Sequence, residues 1–301
     1  MELISLSNLK NMKTTIFKHS IFRLAFVLLG LTFVGSSCDV LDKQPLDAIS
    51  ENAVFNDPTF LQNYVYNVYN GIRPPWNPGT GAYIGMTDIS VSAPDTHNRS
   101  GGNREYLDGN ITPDNIEDLT GIWSYQYDFI RRANIFFESI EESTIDQADL
   151  DIMRGVMHFI RAWMYFDLFR HFGGVPLIDF SYSLADETYD VARATYDEVA
   201  DFVVDECDLA IGLLDGAQAQ AGKASAEAAM ALKARMLLYA ASPLNNPSND
   251  QSKWQAAEVA TRAVLNAGFT LHPTHEDLFF QPVKADETIF GRTYTAETRI
   301  P

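Results

Sequence analysis

Trp76, Asn77, Tyr83, Asp88, Asp95, His97, Asn98, Arg99, Arg104 and Tyr106 fall within one irregular stretch of the chain. An aromatic ring can cover a flat C–H face, while amide, carboxylate, guanidinium and imidazole groups satisfy the hydroxyls around its rim. That combination of faces and rims is what a pyranose sugar offers a protein. From Trp76 to about Asn115 the chain is rich in Gly, Pro, Asn, Asp and Ser and keeps no sustained period. Irregular sequence of that length in a compact domain is usually functional or disordered. The candidate ligand-binding residues are Trp76, Asn77, Tyr83, Asp88, His97, Asn98, Arg99 and Tyr106. Each also has a plain structural reading, since Trp76 and Tyr83 can fold back onto the core and Asp88 can cap or pair.

Catalytic readings find no comparable support. A glycosidase needs two carboxyl groups about 5 to 9.5 Å apart, a separation that sequence alone cannot reveal. With 40 acidic residues in the chain, a chance pair is always available. No Gly-x-Ser-x-Gly occurs. Gly79-Thr80-Gly81 with Gly85 misses the dinucleotide spacing and follows no strand. His272-Pro273-Thr274-His275-Glu276 resembles a metal pair only superficially, because Pro273 interrupts the helical His-Glu-x-x-His arrangement such a site wants. Thr274 is better read as the cap of a helix that includes Leu278. His158 and His171 fall on a long apolar helix, where packing or the helix dipole explains them. Cys207 reads as a small buried hydrophobe. No catalytic residue, metal ligand or cofactor is therefore assigned, and the chain is not expected to be an enzyme.

The N-terminus reads as an address. Lys13, Lys18 and Arg23 precede an apolar run from Leu24 to Val34, and the small residues Gly35, Ser36 and Ser37 lead to Cys38. A positive region, a short apolar run and small residues make a secretory signal over residues 1–37. The run is too short to span a bilayer, where about 20 apolar residues are needed. Cys38 in that position resembles a lipobox cysteine, the site of lipidation in a processed lipoprotein. Acyl chains there would anchor the protein, each buried CH2 contributing about 0.8 kcal/mol.

Composition narrows the classes further. The chain has 301 residues, 46% of them hydrophobic, and a formal charge of −18. Residues 1–37 hold Lys10, Lys13, Lys18 and Arg23 against Glu2, so the remainder carries −21. So acidic a body repels phosphate backbones, and no nucleic-acid partner is expected.

The elements that must hold the irregular stretch read as helices. Asn56-Asp57-Pro58 supplies a cap and a first-turn proline for a helix with Phe60, Leu61, Tyr64, Val65, Val68, Tyr69 and Ile72 at helical spacing. Arg73-Pro74-Pro75 stops it. Helical pattern returns near Ile122 and runs to about Ile140. A further helix over about 148–172 carries two apolar stripes and closes at Gly173-Gly174, so it should lie centrally. Others are expected over about 196–214, 225–241 and 254–267, the second rich in Ala for close helix approach. Trp123, Trp163 and Trp254 fall on helical faces and are expected in the core. Thr288 to Tyr294 alternates like a strand. Consecutive helix pairs with irregular spacing describe a mostly α, TPR-like superhelix.

Three stretches resemble a known family. Arg161-Ala162-Trp163-Met164-Tyr165-Phe166-Asp167-Leu168 running on to Gly173-Gly174-Val175-Pro176-Leu177 is similar to the signature of SusD/RagB outer-membrane lipoproteins. So are Gly222-Lys223-Ala224-Ser225 leading through Ala229–Tyr239 to Ser242-Pro243-Leu244, and Trp123-Ser124-Tyr125 leading to Arg132-Ala133-Asn134. The resemblance implies a surface-exposed lipoprotein of the outer membrane, acylated at Cys38, that binds oligosaccharide. It implies a partner too, a SusC-type TonB-dependent barrel on which the repeat helices dock while irregular segments form the ligand surface. The stretch after Thr87-Asp88 corresponds to a loop of the family's glycan platform, with His97, Asn98, Arg99 and Tyr106 in place of tryptophan. Family members are longer, so residues 38–301 are read as a SusD-like N-terminal helical domain, truncated at its C-terminus. A RagB-like peptide-binding lipoprotein of the same fold is the nearest alternative, and a helical scaffold for protein partners the next.

Overall fold

The computed structural model describes residues 50–72, 112, 117–183, 185, 188, 190–217, 222–274 and 287–291. Seven α-helices span these residues: α1 (Glu51–Asn56), α2 (Pro58–Val68), α3 (Glu117–Ser139), α4 (Gln147–Phe172), α5 (Tyr196–Leu214), α6 (Ala226–Ala241) and α7 (Gln251–Leu265). Short 3-10 turns extend α2 over Tyr69–Gly71 and α3 over Ile140–Glu142.

Local chemistry sets the helix starts. Asp57 accepts from the backbone N–H groups of Thr59 and Phe60, and Pro58 occupies the first turn, where its missing N–H is not needed. Thr195 and Glu198 form a reciprocal capping box at the head of α5. The Thr195 backbone N–H and hydroxyl hold the Glu198 carboxyl below the usual carboxylate range. Ser225 caps α6 and Asp250 caps α7. α4 ends where Gly173 turns to φ +75°, a left-handed conformation that favours glycine. At Gly174 a Cβ would collide with the carbonyl oxygen of Ala194, so the following chain can cross only a glycine there.

From α2 to α5, consecutive helices run antiparallel. Tyr64 meets Arg132 and Asn70 meets Tyr125 between α2 and α3. Asn134 meets Arg161 and Gln126 meets Asp167 between α3 and α4. Arg161 meets Glu206 while Gly155 faces Leu214 between α4 and α5. α4 packs on α2, α3, α5 and α6, as its two apolar stripes require, and Phe159, Ile160, Met164, Tyr165, Leu168 and Phe169 are fully buried. The described residues thus form a mostly α, TPR-like stack of paired helices.

Several sequence expectations shift. The six residues of α1 are too few to show a period. α3 starts at Glu117 rather than near Ile122, its leading Glu-Asp-Leu-Thr-Gly turn being nearly without apolar residues. α7 starts at Gln251, under the Asp250 cap, rather than at Trp254. Trp123, Trp163 and Trp254 are half-buried rather than core. Each stacks or bonds along one side, Trp123 on Tyr127 and Phe172, Trp163 on Phe159 and Phe290, and Trp254 through Nε1 to Asn249 Oδ1 at 3.2 Å. The strand expected over 288–294 is described only to Gly291, and those residues are bends or irregular. No strand among the described residues offers Thr288–Gly291 a ladder, and Phe290 packs against Phe159 at 5.1 Å instead. Cys207 is a free, fully buried thiol, and burial pushes its pKa up.

At Gly155 a Cβ would lie 2.7 Å from Leu214 Cγ and 2.9 Å from Leu213 Cβ. Gly155→Ala is expected to lower stability by about 1–3 kcal/mol through overpacking of the α4–α5 crossing, measured by chemical denaturation. An unchanged midpoint would mean that this crossing yields freely.

Candidate functional site

Trp76, Asn77, Tyr83, Asp88, His97, Asn98, Arg99 and Tyr106 lie outside the described residues, as does Cys38. The frame on either side of the irregular stretch is described. α2 and its 3-10 turn deliver the chain to Ile72, which is buried. Tyr125 Oη donates to Asn70 O at 2.6 Å, so the first half of α3 grips the point of departure. Arg132 Nη1 donates to Asn67 Oδ1 at 2.8 Å and Tyr64 Oη to Arg132 O at 2.9 Å. Tyr69 Oη accepts from Ala224 N at 2.8 Å, tying the turn to the segment that enters α6. Burial pushes the Tyr69 phenol up to about 12, with the Ala224 N–H opposing, so it stays protonated at physiological pH. Because α2 and α3 are antiparallel, the chain leaves and returns at the same end of this helix pair.

Toward the other end of α3 lies a buried charged cluster. Arg161 on α4 donates from Nε to Glu206 Oε2 at 2.8 Å and from Nη2 to Glu206 Oε1 at 2.8 Å, a two-pronged pair with α5. His158 Nδ1 lies 3.1 Å from Glu206 Oε2. Arg161 Nη1 donates to Asn134 Oδ1 on α3 at 2.8 Å, and its guanidinium sits 4.3 Å from the centre of the Phe137 ring. Burial pushes the Glu206 carboxyl up, but the bonds from His158 and Arg161 and the Arg161 charge outweigh it and hold the pKa below the usual range. His158 is thus a member of this cluster, with no metal-ligating role assigned. His171 Nδ1 donates to Asp167 O at 2.7 Å within its own helix.

The same cluster positions the loop after Gly174. Asn134 Nδ2 donates to Ile178 O and Phe180 O, both at 2.9 Å. Tyr165 Oη accepts from Ile178 N at 2.7 Å, and Tyr127 Oη donates to Pro176 O at 2.7 Å. Burial pushes both phenols up. Phe180, Tyr182 and Arg131 line a cleft of about 270 Å³ with Trp123 and Tyr127. Sequence reasoning did not single out Phe180, Tyr182 or Arg131. The available signal was a Phe-x-Tyr pair beginning four residues after Pro176 of the Gly-Gly-Val-Pro stop, in a connection otherwise poor in aromatic residues.

The histidine pair at 272–275 is half described. His272 Nδ1 lies 2.8 Å from Thr274 O, a local turn contact, while His275 and the helix expected to include Leu278 lie outside the described residues. No group of three or more His, Cys, Asp or Glu among the described residues is arranged to hold a metal ion.

Comparison with known proteins places this frame. Residues 39–238 match the profile of a SusD-like family described as starch-binding and associating with the outer membrane. The chain belongs to that SusD-like family. It is 22% identical over 258 residues to SusD-like protein P2 of Formosa agariphila, covering 86% of this chain and 49% of that one. A SusD-like protein of Bacteroides ovatus is 27% identical over 167 residues, covering 54% and 30%. Among solved structures, a SusD-like carbohydrate binding protein from Bacteroides fragilis superposes with TM-score 0.61 at 21% identity, covering 75% of this chain and 44% of that one. A laminarin binding SusD-like protein superposes with TM-score 0.59 at 20% identity, covering 78% and 50%. The chain spans half or less of the length of each of these four proteins.

Removing the Glu206 charge tests the buried cluster. Glu206→Gln should destabilise by about 3–5 kcal/mol, because Arg161 is left buried without its counter-charge. The lowered Glu206 pKa contributes stability that is full above the ordinary carboxylate range and lost as pH falls through the folded-state value. Wild-type stability should therefore fall on acidification below about pH 4.5, and Glu206→Gln should flatten that slope in denaturation measured across pH. A variant as stable as wild type at pH 7 would contradict the assignment.

Proposed function

We propose that this chain is a lipid-anchored, exterior-facing outer-membrane protein that captures oligosaccharide and hands it to a SusC-type TonB-dependent barrel. The observation that carries the reading is the family match over residues 39–238, which begins immediately after Cys38. A match starting there fits a mature protein whose acylated first residue is Cys38. The family's description as starch-binding and outer-membrane-associated supports the ligand class and the location, and the laminarin-binding relative in fold supports a glycan ligand.

Within the chain, the ligand surface is placed on the stretch between Ile72 and Thr112. Trp76, Asn77 and Tyr83 would stack and bond at its start, and Asp88, His97, Asn98, Arg99 and Tyr106 would meet ring substituents. Residues 88–106 contain no tryptophan, which favours a branched or acidic glycan over a flat neutral glucan. The chain binds its ligand and passes it on without cofactor or bond cleavage. Turnover of a labelled polysaccharide by the purified protein would overturn that part.

Trp76→Ala and Tyr106→Ala should each weaken retention on a glycan array at least fivefold without lowering the melting temperature. Unchanged retention in both would remove these residues from the site, and retention of a peptide library but of no glycan would replace sugar by peptide. Cys38→Ala should move the protein from the membrane fraction to the soluble fraction when cells are fractionated. A variant that stays in the membrane fraction would overturn lipidation at Cys38.

A further inference from the structure

The connection from Val175 to Ser183 is held by side chains of α3 and α4 at Pro176, Ile178, Phe180, Ser181 and Tyr182. Besides the bonds at Pro176, Ile178 and Phe180 already described, Ser181 N donates to Glu138 Oε1 at 2.6 Å and Ser181 Oγ bonds to Glu138 Oε2. Arg131 Nη2 donates to Tyr182 O at 3.4 Å. Every one of these side chains comes from α3 or α4. Yet the ring this scaffold holds, Phe180, is 43% exposed, stacked edge-on against Tyr182 with centroids 4.8 Å apart. A hydrophobic ring kept at the surface forfeits burial, and the fixed backbone gives it no route inward. Side chains whose orientation is set in advance by such supporting bonds lower the ordering cost of binding.

We propose that the cleft between Phe180, Tyr182, Trp123 and Arg131 is a second glycan subsite that takes one pyranose ring. Its volume of about 270 Å³ lies just below the range of about 300–1,000 Å³ typical of drug-sized ligand pockets, so it suits one ring better than a chain. The aromatic walls cover the C–H face. The Arg131 guanidinium is exposed and, among the described residues, makes only the long bond to Tyr182 O. Its remaining N–H groups can donate to hydroxyls or to a carboxylate on the ring. The ring taken is a terminal or branch sugar of a glycan whose main run lies elsewhere. The proposal rests on the glycan reading above and adds to it a site on a different part of the chain.

The test is titration of the 15N-labelled full chain with laminarihexaose and, separately, with an oligogalacturonate. The indole N–H signals of Trp76 and Trp123 are assigned through Trp76→Phe and Trp123→Phe. The cleft predicts a saturable shift of the Trp123 signal with at least one sugar. A response to the uronate alone names a carboxylate as the group met by Arg131, and a response to the neutral sugar names hydroxyls. Phe180→Ala and Arg131→Ala should each weaken that response about fivefold, equivalent to ~1 kcal/mol, with the Trp76 signal following the wild-type curve. Movement of Trp76 without Trp123 overturns the cleft and leaves the main ligand surface standing. Movement of Trp123 without Trp76 does the reverse. Neither signal moving with either sugar overturns the cleft.

Discussion

The Arg161–Glu206 pair is the constraint on which the rest of this molecule depends. Both side chains are almost fully buried, at 8% and 5% exposure. Charges taken that far from water must be matched in position as well as in sign, because the desolvation penalty is recovered only with good geometry and further hydrogen bonds. Two parallel bonds, the His158 ring and Asn134 supply that geometry. The pair therefore selects one register of α4 against α5. The same register brings Gly155 opposite Leu213 and Leu214, where only the absent side chain allows contact.

From that register the surface follows in short steps. Asn134 is held by Arg161 through Oδ1, which leaves its Nδ2 aimed at the carbonyls of Ile178 and Phe180. An asparagine placed this way converts a buried charge pair into the shape of an exposed loop. The opposite end of α3 performs the analogous task for the irregular stretch, with Tyr125 gripping Asn70. One helix thus carries supports both for the connection after Gly174 and for the point where the chain leaves α2. Helices place groups more tightly than loops do, and both places draw their supports from helix side chains.

Legibility in the sequence followed periodicity. The helices from Pro58, Gln147, Tyr196 and Ala226 could be located because apolar residues recur on one or two faces, with Asp57 and Gly173 marking the start of one and the end of another. The start of α3 could not, since its first turn carries little apolar signal, and neither could the short α1. The half-burial of Trp123 and Trp163 was hidden for a related reason. A helical face assigns a residue to the core side but does not say where a neighbouring helix ends and leaves a ring edge in water. Glu206 shows the limit most plainly. In Val203-Val204-Asp205-Glu206-Cys207 it looks like an ordinary helix carboxylate, and only its partner 45 positions earlier makes it the centre of the cluster. The irregular stretch between Ile72 and Thr112 was recognisable by its composition, whereas the aromatic cleft joins residues from three separate segments and has no linear signature.

Net charge bears on which glycan such a surface can take. A body carrying −21 opposes the approach of any polyanion. At physiological ionic strength, however, the Debye length is about 8 Å, so the field of distant carboxylates is largely screened before a ligand arrives. What remains is the chemistry within a few ångströms of the sugar. On the glycan reading proposed above, that chemistry would come from Arg99 and Arg104 in the irregular stretch and Arg131 at the cleft, against Asp88 and Asp95. A branched neutral glycan meets no electrostatic opposition at either range. An acidic glycan must be held by those few arginines against the repulsion of everything else, and its binding should weaken at low salt, the reverse of ordinary ion-pair attraction. The direction of the salt dependence therefore separates the two glycan classes that the missing tryptophan leaves open.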